Sequence, residues 1–227
     1  VSEPPSPSPA SPAQPAPSLA SPAPPPPPPA TTDRLETFSD GVFAVAITLL
    51  VLGLHVSTRR PGQLGHALGA EWPHYATYVV SFLTIGIIWM NHHAQFKRIE
   101  QADRTLLVLN LILLMFVTLI PFPTGLLATY LHDGADEHVA AAVYAATLLA
   151  MSIAFFSTYL WAARRRLFAP WVGEEHVGYL VRRNGAGLLV YAAAIAVAFA
   201  SASVSLALCG LVALYYLHPG RRVAASA

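Results

Sequence analysis

Between Leu35 and Leu217 the chain is a succession of apolar stretches, each about as long as a lipid bilayer is thick, and that repetition restricts the fold to one class. A helix needs about 20 apolar residues, with a range of roughly 17–25, to cross the hydrocarbon core. Stretches of this kind run at 35–56, 75–96, 105–131, 139–163, 184–201 and 203–218. Within lipid, backbone amides must be satisfied inside the segment or in a closed barrel, so runs of this length read as helices. Only 11% of the residues are charged, against about 25% in soluble domains, and a soluble globular fold is hard to sustain. The expectation is an all-α membrane protein with six transmembrane helices per subunit. The last two stretches share one apolar run, Leu188 to Leu217. Ser201-Ala202-Ser203 is the expected break, a single long tilted helix being the alternative.

Residues 1–33 are of different material. Fourteen of the twenty prolines fall within residues 1–30, mixed with Ser and Ala. Too little apolar surface is present to drive folding, and a disordered or polyproline-II-like tail is expected, either solvated or docked on a proline-binding partner. Residues 34–218 form the expected membrane domain, and 219–227 a short C-terminal tail. The single Cys209 leaves no disulfide framework or cysteine-based metal site. A net charge of +1 gives no reason to expect a nucleic-acid partner.

Basic residues set the expected orientation. Arg34, Lys97, Arg98, Arg104, Arg164, Arg165, Arg166, Arg182, Arg183, Arg221 and Arg222 lie at the two ends or in the second and fourth connections; only Arg59 and Arg60 lie in an odd one. The positive-inside rule then puts both termini in the cytoplasm. Arg164–Arg166 serve that bias, with contact to anionic lipid as a second reading.

Ionisable groups inside a membrane segment are expensive and mark functional sites. Asp40 opens the first span, and Ser39 precedes it. The second span runs the opposite way, so its end, Trp89, Asn91, His92 and His93, shares that depth, as does Asn110 early in the third. These groups are expected to form one hydrogen-bonded cluster, with His92 or His93 donating to Asp40. Its role is a helix clamp or a gating or proton-sensing device. A metal site is disfavoured: adjacent histidines point about 100° apart on a helix, and only one carboxylate is near.

At about 100° per residue, Gly41, Val45, Thr48, Leu49, Leu52 and Val56 share one face of the first span, and Asp40 points elsewhere. That apolar stripe with one hydroxyl faces lipid, a neighbouring helix or a pore; Gly41 favours a protein-facing side. Arg34 and Phe38 project toward the same stripe. In the third span, Pro121-Phe122-Pro123 is expected to bend the helix. Thr84-Ile85-Gly86-Ile87-Ile88 is not read as a carbonyl filter, since it lies within a continuous span with no re-entrant segment.

Arg34, Phe38, Ser39 and Asp40, in the pattern Arg-x-x-x-Phe-Ser-Asp, are followed by Ile88-Trp89-Met90-Asn91-His92-His93. Asn110 through Leu114 and Pro121-Phe122-Pro123 come next. In this order they resemble the bacterial members of the transmembrane-protein-175 family of potassium channels, over about residues 34–131, and the six-span layout extends the likeness. The resemblance implies a homotetramer in a bacterial plasma membrane, with the first span of each subunit lining a central pore. It implies no cofactor, potassium being the permeant ion. An enzyme is not expected, because Asp40 with His92 and His93 is the one plausible catalytic set and no nucleophile or metal-ligand cluster accompanies it. A hydrophobic constriction would fall at Val45, with hydroxyls from Thr48, and Leu49 and Leu52 continuing the wall. Arg34, Phe38, Ser39 and Asp40 would hold the helix and bear on gating. Family members often carry Ile or Leu at the constriction, so Val45 implies a wider neck.

Two other readings use the same residues differently. A proton-conducting or proton-coupled pathway would run through Asp40 and His92 or His93. A small-solute transporter would need an inverted repeat or interrupted half-helices at the midplane, and neither is visible.

Overall fold

The computed structural model describes residues 32–54, 62–131 and 134–217. The Pro-rich segment up to Thr31, Val56 of the stripe, Arg59 and Arg60, and Arg221 and Arg222 lie outside the described residues. The chain is all helical there: α1 (Asp33–Leu49), α2 (Leu64–Ala70), α3 (Trp72–Phe96), α4 (Arg104–Leu119), α5 (Pro121–Tyr130), α6 (Ala135–Arg164), α7 (Glu174–Ala198) and α8 (Ala202–Leu217). Four stretches are long and apolar enough to cross a membrane by length and composition, 33–53, 104–130, 135–164 and 174–198, and α8 is a shorter apolar helix. The 25-residue α3 has the length, but polar residues along it dilute its apolar character.

Local chemistry sets the helix ends. The first span leaves the α-helix before its expected end: after Leu49 it tightens into a 3-10 turn, Leu50–Gly53, and Leu54 is extended. Where a proline bend is expected, the third span is interrupted, α4 ending at Leu119 and α5 starting at Pro121. Pro121 has no N–H to continue the ladder; Ile120 N–H bonds back to the Val117 carbonyl instead. Gly134 turns into α6 with φ +60°, a conformation that disfavours side chains. The long final apolar run is two helices, broken at residues 199–201.

At the centre lies α6, packed by α4, α5, α7 and α8. Ala141, Tyr144, Leu148, Met151 and Phe155 follow one another along it at helical spacing, all buried. Small residues, Ala140, Ala145 and Ala154 on α6 with Ala194 and Ala198 on α7, are buried too and allow the helices to approach closely. At one edge α1 packs against α3 and α4.

The connections alternate between two ends of the bundle. At one end, the α3–α4 and α6–α7 connections pair at an antiparallel bridge, Ile99 with Phe168, closed by Glu100 N–H to Leu167 O at 3.0 Å and Ala169 N–H to Arg98 O at 2.8 Å. Both arginine-bearing connections therefore share one end. At the other, His138 Nδ1 donates to Ala198 O at 2.8 Å, joining the start of α6 to the end of α7.

Candidate functional site

Two faces of α1 are sharply different. Ser39, Phe43, Ala46 and Leu50 are buried, at spacings of four, three and four residues that place them on one side of the helix. Val45 is 55% exposed and Leu52 75% exposed, and Gly41, Thr48 and Leu49 are exposed with them. The stripe singled out in the sequence is thus the open face of α1 in the single chain, although Leu52 lies in the 3-10 turn, where helical-wheel angles no longer apply. Thr48 Oγ1 donates to the Val45 carbonyl at 2.8 Å. Its only proton is held by its own helix, leaving the oxygen lone pairs outward, the polarity that suits a cation.

The buried face carries a relay of hydrogen bonds across three helices. His92 Nε2 on α3 donates to Asn110 Oδ1 on α4 at 2.8 Å, Asn110 Nδ2 donates to Ser39 Oγ on α1 at 3.0 Å, and Ser39 donates to the Leu35 carbonyl at 2.8 Å. The last acceptor fixes the direction of the rest, because a carbonyl can only accept. Ser39, His92 and Asn110 are fully buried. His92 is also wedged between aromatic rings, 5.3 Å from Phe43 and 4.4 Å from Phe96, and its Nδ1 has no hydrogen-bond partner.

Asp40 does not pair with either histidine as expected. Trp89 Nε1 donates to Asp40 Oδ1 at 2.7 Å, while His92 turns to Asn110 and His93 Nδ1 meets the Glu36 carboxylate in an ion-pair contact. The reason is helical spacing. Trp89 and His93, four residues apart, share a face of α3 and stack with ring centroids 6.1 Å apart. Asp40 and Glu36 share the matching face of α1. His92 points about 100° away from His93, into the α4 contact.

Asn91 leaves the cluster. Its Nδ2 donates to the Ile87 carbonyl at 2.8 Å, and it lines a cavity of about 40 Å³ with Ser152, Asn184 and Tyr191. Arg34 and Phe38 stand exposed beside the open stripe.

Sequence reasoning missed several contacts that hold these helices in place. Ser81 Oγ meets Thr124 Oγ1 at 2.7 Å and the Tyr144 hydroxyl at 2.9 Å, joining α3, α5 and α6. Gln95 Nε2 donates to Thr158 Oγ1 at 2.8 Å. Asp103 caps α4 by accepting from Leu106 N–H at 2.8 Å, and both its oxygens accept from Trp161 Nε1 at 3.0 Å. An Asp directly before an apolar run is a legible cap signal. Hydroxyls scattered in apolar spans are not, because many bond only their own helix.

Similarity to known proteins agrees with this geometry. Residues 34–121 match the family model described as endosomal/lysosomal potassium channel TMEM175. A potassium channel of Streptomyces collinus is 49% identical over 185 residues, covering 81% of this chain and 90% of that protein. The crystal structure of a lysosomal potassium-selective channel TMEM175 homolog from Chamaesiphon minutus superposes with a TM-score of 0.74 at 38% identity, covering 82% of this chain and 96% of that one. The endosomal/lysosomal proton channel TMEM175 of Rattus norvegicus is 31% identical over 74% of this chain, which spans 36% of that longer protein. These relatives are ion channels, not enzymes, and the chain belongs to the TMEM175 family of potassium channels.

Proposed function

We infer that the protein is a potassium-permeable channel in which six membrane helices per subunit, α1, α3, α4 with α5, α6, α7 and α8, assemble as a homotetramer around α1. One observation carries this reading: α1 keeps an apolar stripe with a single hydroxyl open to the outside of the subunit, while its opposite face is anchored by the His92–Asn110–Ser39 relay. Four such stripes around an axis form a neck at Val45, followed by hydroxyls at Thr48 and apolar walls at Leu49 and Leu52. A hydrophobic neck gates by dewetting, and Val45 makes a wider one than Ile or Leu. The arginine-rich end faces the cytoplasm of a bacterial plasma membrane by the charge bias, with residues 1–33 and 219–227 as cytoplasmic tails.

Reconstituted protein in liposomes tests the reading. Potassium is expected to leave down its gradient, and Val45→Asn, which wets the neck, to raise that flux. Bi-ionic reversal potentials then give the preference for potassium over sodium. A tetramer that carries no potassium current ends the proposal.

Proton conduction is the second reading, favoured by the Glu36–His93 contact beside Asp40 and by the proton channel among the relatives. On that reading Asp40→Asn abolishes pH-dependent flux while leaving the oligomer intact. Loss of the oligomer instead assigns Asp40 to structure.

A further inference from the structure

On the side of the subunit away from α1, α7 and α8 leave a groove between them of about 260 Å³ with wholly apolar walls. Ala186 and Val190 form one wall, and Leu208, Leu211, Val212 and Tyr215 the other. Tyr216 lines it at the end that carries Arg182 and Arg183. A side chain at Gly187 would collide with the Tyr216 ring and hydroxyl, so only glycine lets that ring lie against the α7 backbone. Tyr216 is held there by donating to the Arg183 carbonyl at 2.9 Å, and the Arg183 guanidinium lies 5.5 Å from the ring centre.

A positive charge stands at the mouth. Arg182 precedes Ala186 by four residues and Val190 by eight, so all three share one face of α7. Helical side chains lean toward the N-terminus, which carries the exposed Arg182 guanidinium toward the arginine-rich end of the bundle. Among the described residues it has no carboxylate partner; Glu174 and Glu175 lie two turns further out. An apolar slot with a free guanidinium at its membrane-surface end has the polarity of a lipid.

We propose that the α7–α8 groove binds an anionic phospholipid, with one acyl chain along the groove and the headgroup phosphate on Arg182. The planar guanidinium pairs with phosphate oxygens in a bidentate manner, and basic pockets between membrane helices on the cytoplasmic side recognise anionic headgroups. A zwitterionic lipid offers the same phosphate but brings its own cation next to Arg182 and Arg183, so an anionic headgroup is preferred. That the groove faces lipid follows from the pore reading of α1, because α7 packs on α6 and α8 and lies away from the proposed axis. The groove and its arginine do not depend on that reading.

Full-length protein in nanodiscs of phosphatidylglycerol or phosphatidylcholine, released and weighed by native mass spectrometry, reads the number of retained lipids directly. The wild type is expected to retain phosphatidylglycerol in preference to phosphatidylcholine. Arg182→Gln is expected to lower phosphatidylglycerol retention about fivefold, the factor matching an arginine's attraction to an anionic surface. Ala186→Phe fills the groove and is expected to displace both lipids; Leu211→Trp fills it from the other wall and gives the same reading if the first variant misfolds. Equal retention of the two lipids, or phosphatidylglycerol retention unchanged in Arg182→Gln, overturns the headgroup assignment. Retention unchanged in the filled variants overturns the groove. A change in oligomer mass rather than lipid number shows that a second copy of the chain covers this face, and likewise overturns the proposal. Because lipid counting needs no current, failure of the channel reading is scored separately.

Discussion

Trp89 donates its indole N–H to the Asp40 carboxylate at 2.7 Å, from α3 to α1 across 49 residues of sequence. The pair fixes how α1 is rotated. Asp40 reaches α3 only if Ser39, Phe43 and Ala46 face inward, and that rotation leaves Val45 and Thr48 outside. On the channel reading the acid serves as a register pin for the helix, lying off the face proposed to meet ions.

Trp89→Phe removes the donor and keeps the ring stacked on His93. A hydrogen bond to a charged group contributes about 1.5–3 kcal/mol in soluble proteins, whereas polar contacts in membrane bundles average about 0.6. Trp89 is partly exposed, so the lower figure applies. The variant is expected to lose a few degrees of melting temperature in detergent, followed by fluorescence-detected gel filtration, with potassium-to-sodium permeability unchanged. A large change in permeability ratio at normal stability would move Asp40 and Trp89 into the ion path.

Asn110 is more deeply committed, since it links His92 to Ser39 and is fully buried. Asn110→Leu strands His92 Nε2 in an apolar setting, and an unsatisfied buried donor costs about 1–3 kcal/mol. Ser39→Ala is milder, because the lost hydroxyl leaves Asn110 still bonded to His92. The double variant is expected to be less destabilised than the sum of the two, and a thermal double-mutant cycle measures that coupling. Strict additivity would show that the relay does not act as a unit.

Much of this architecture is legible in the residues. Bilayer-length apolar runs give the helices, Pro121 gives the break between α4 and α5, and the 3.6-residue period of α1 separates Val45 and Thr48 from Asp40. What the sequence cannot resolve is which polar group meets which across helices. Trp89, His92 and His93 lie within five residues, and their partners depend on the rotation of α3 against α1 and α4, a property of packing. Asn91 shows the same limit: one residue before His92, it faces the opposite interior. The 3-10 turn at Leu50–Gly53 is also invisible in an apolar run with no proline.

Arg166 ends α6 in a left-handed conformation, φ 54°. Leu167 N–H reaches back to the Ala162 carbonyl at 2.9 Å and Arg166 N–H to the Ala163 carbonyl at 3.3 Å, the arrangement that usually has glycine at this point. For a residue with a Cβ that conformation costs roughly 1–2 kcal/mol. Arg166→Gly removes the strain but frees the unfolded chain. The net expectation is a gain of up to about 1 kcal/mol, read as a higher midpoint in thermal unfolding, with flux unaltered. A lower midpoint would mean that the arginine side chain itself anchors this end of the bundle.

Thr48 separates the chemistry of the stripe from its shape. Thr48→Val keeps the volume and the β-branch and removes only the hydroxyl. That hydroxyl bonds nothing beyond the Val45 carbonyl of its own helix, and the residue is exposed in the subunit, so stability is expected to stay within about 0.5 kcal/mol, as for ordinary surface substitutions. If its lone pairs meet the permeant ion, bi-ionic recordings will show a reduced preference for potassium over sodium while the neck at Val45 continues to conduct. Thr48→Ser, which keeps the oxygen, is expected to restore most of the preference. Equal permeability ratios in wild type, Thr48→Val and Thr48→Ser would remove the hydroxyl from the selectivity mechanism and leave the hydrophobic neck as its sole determinant on α1.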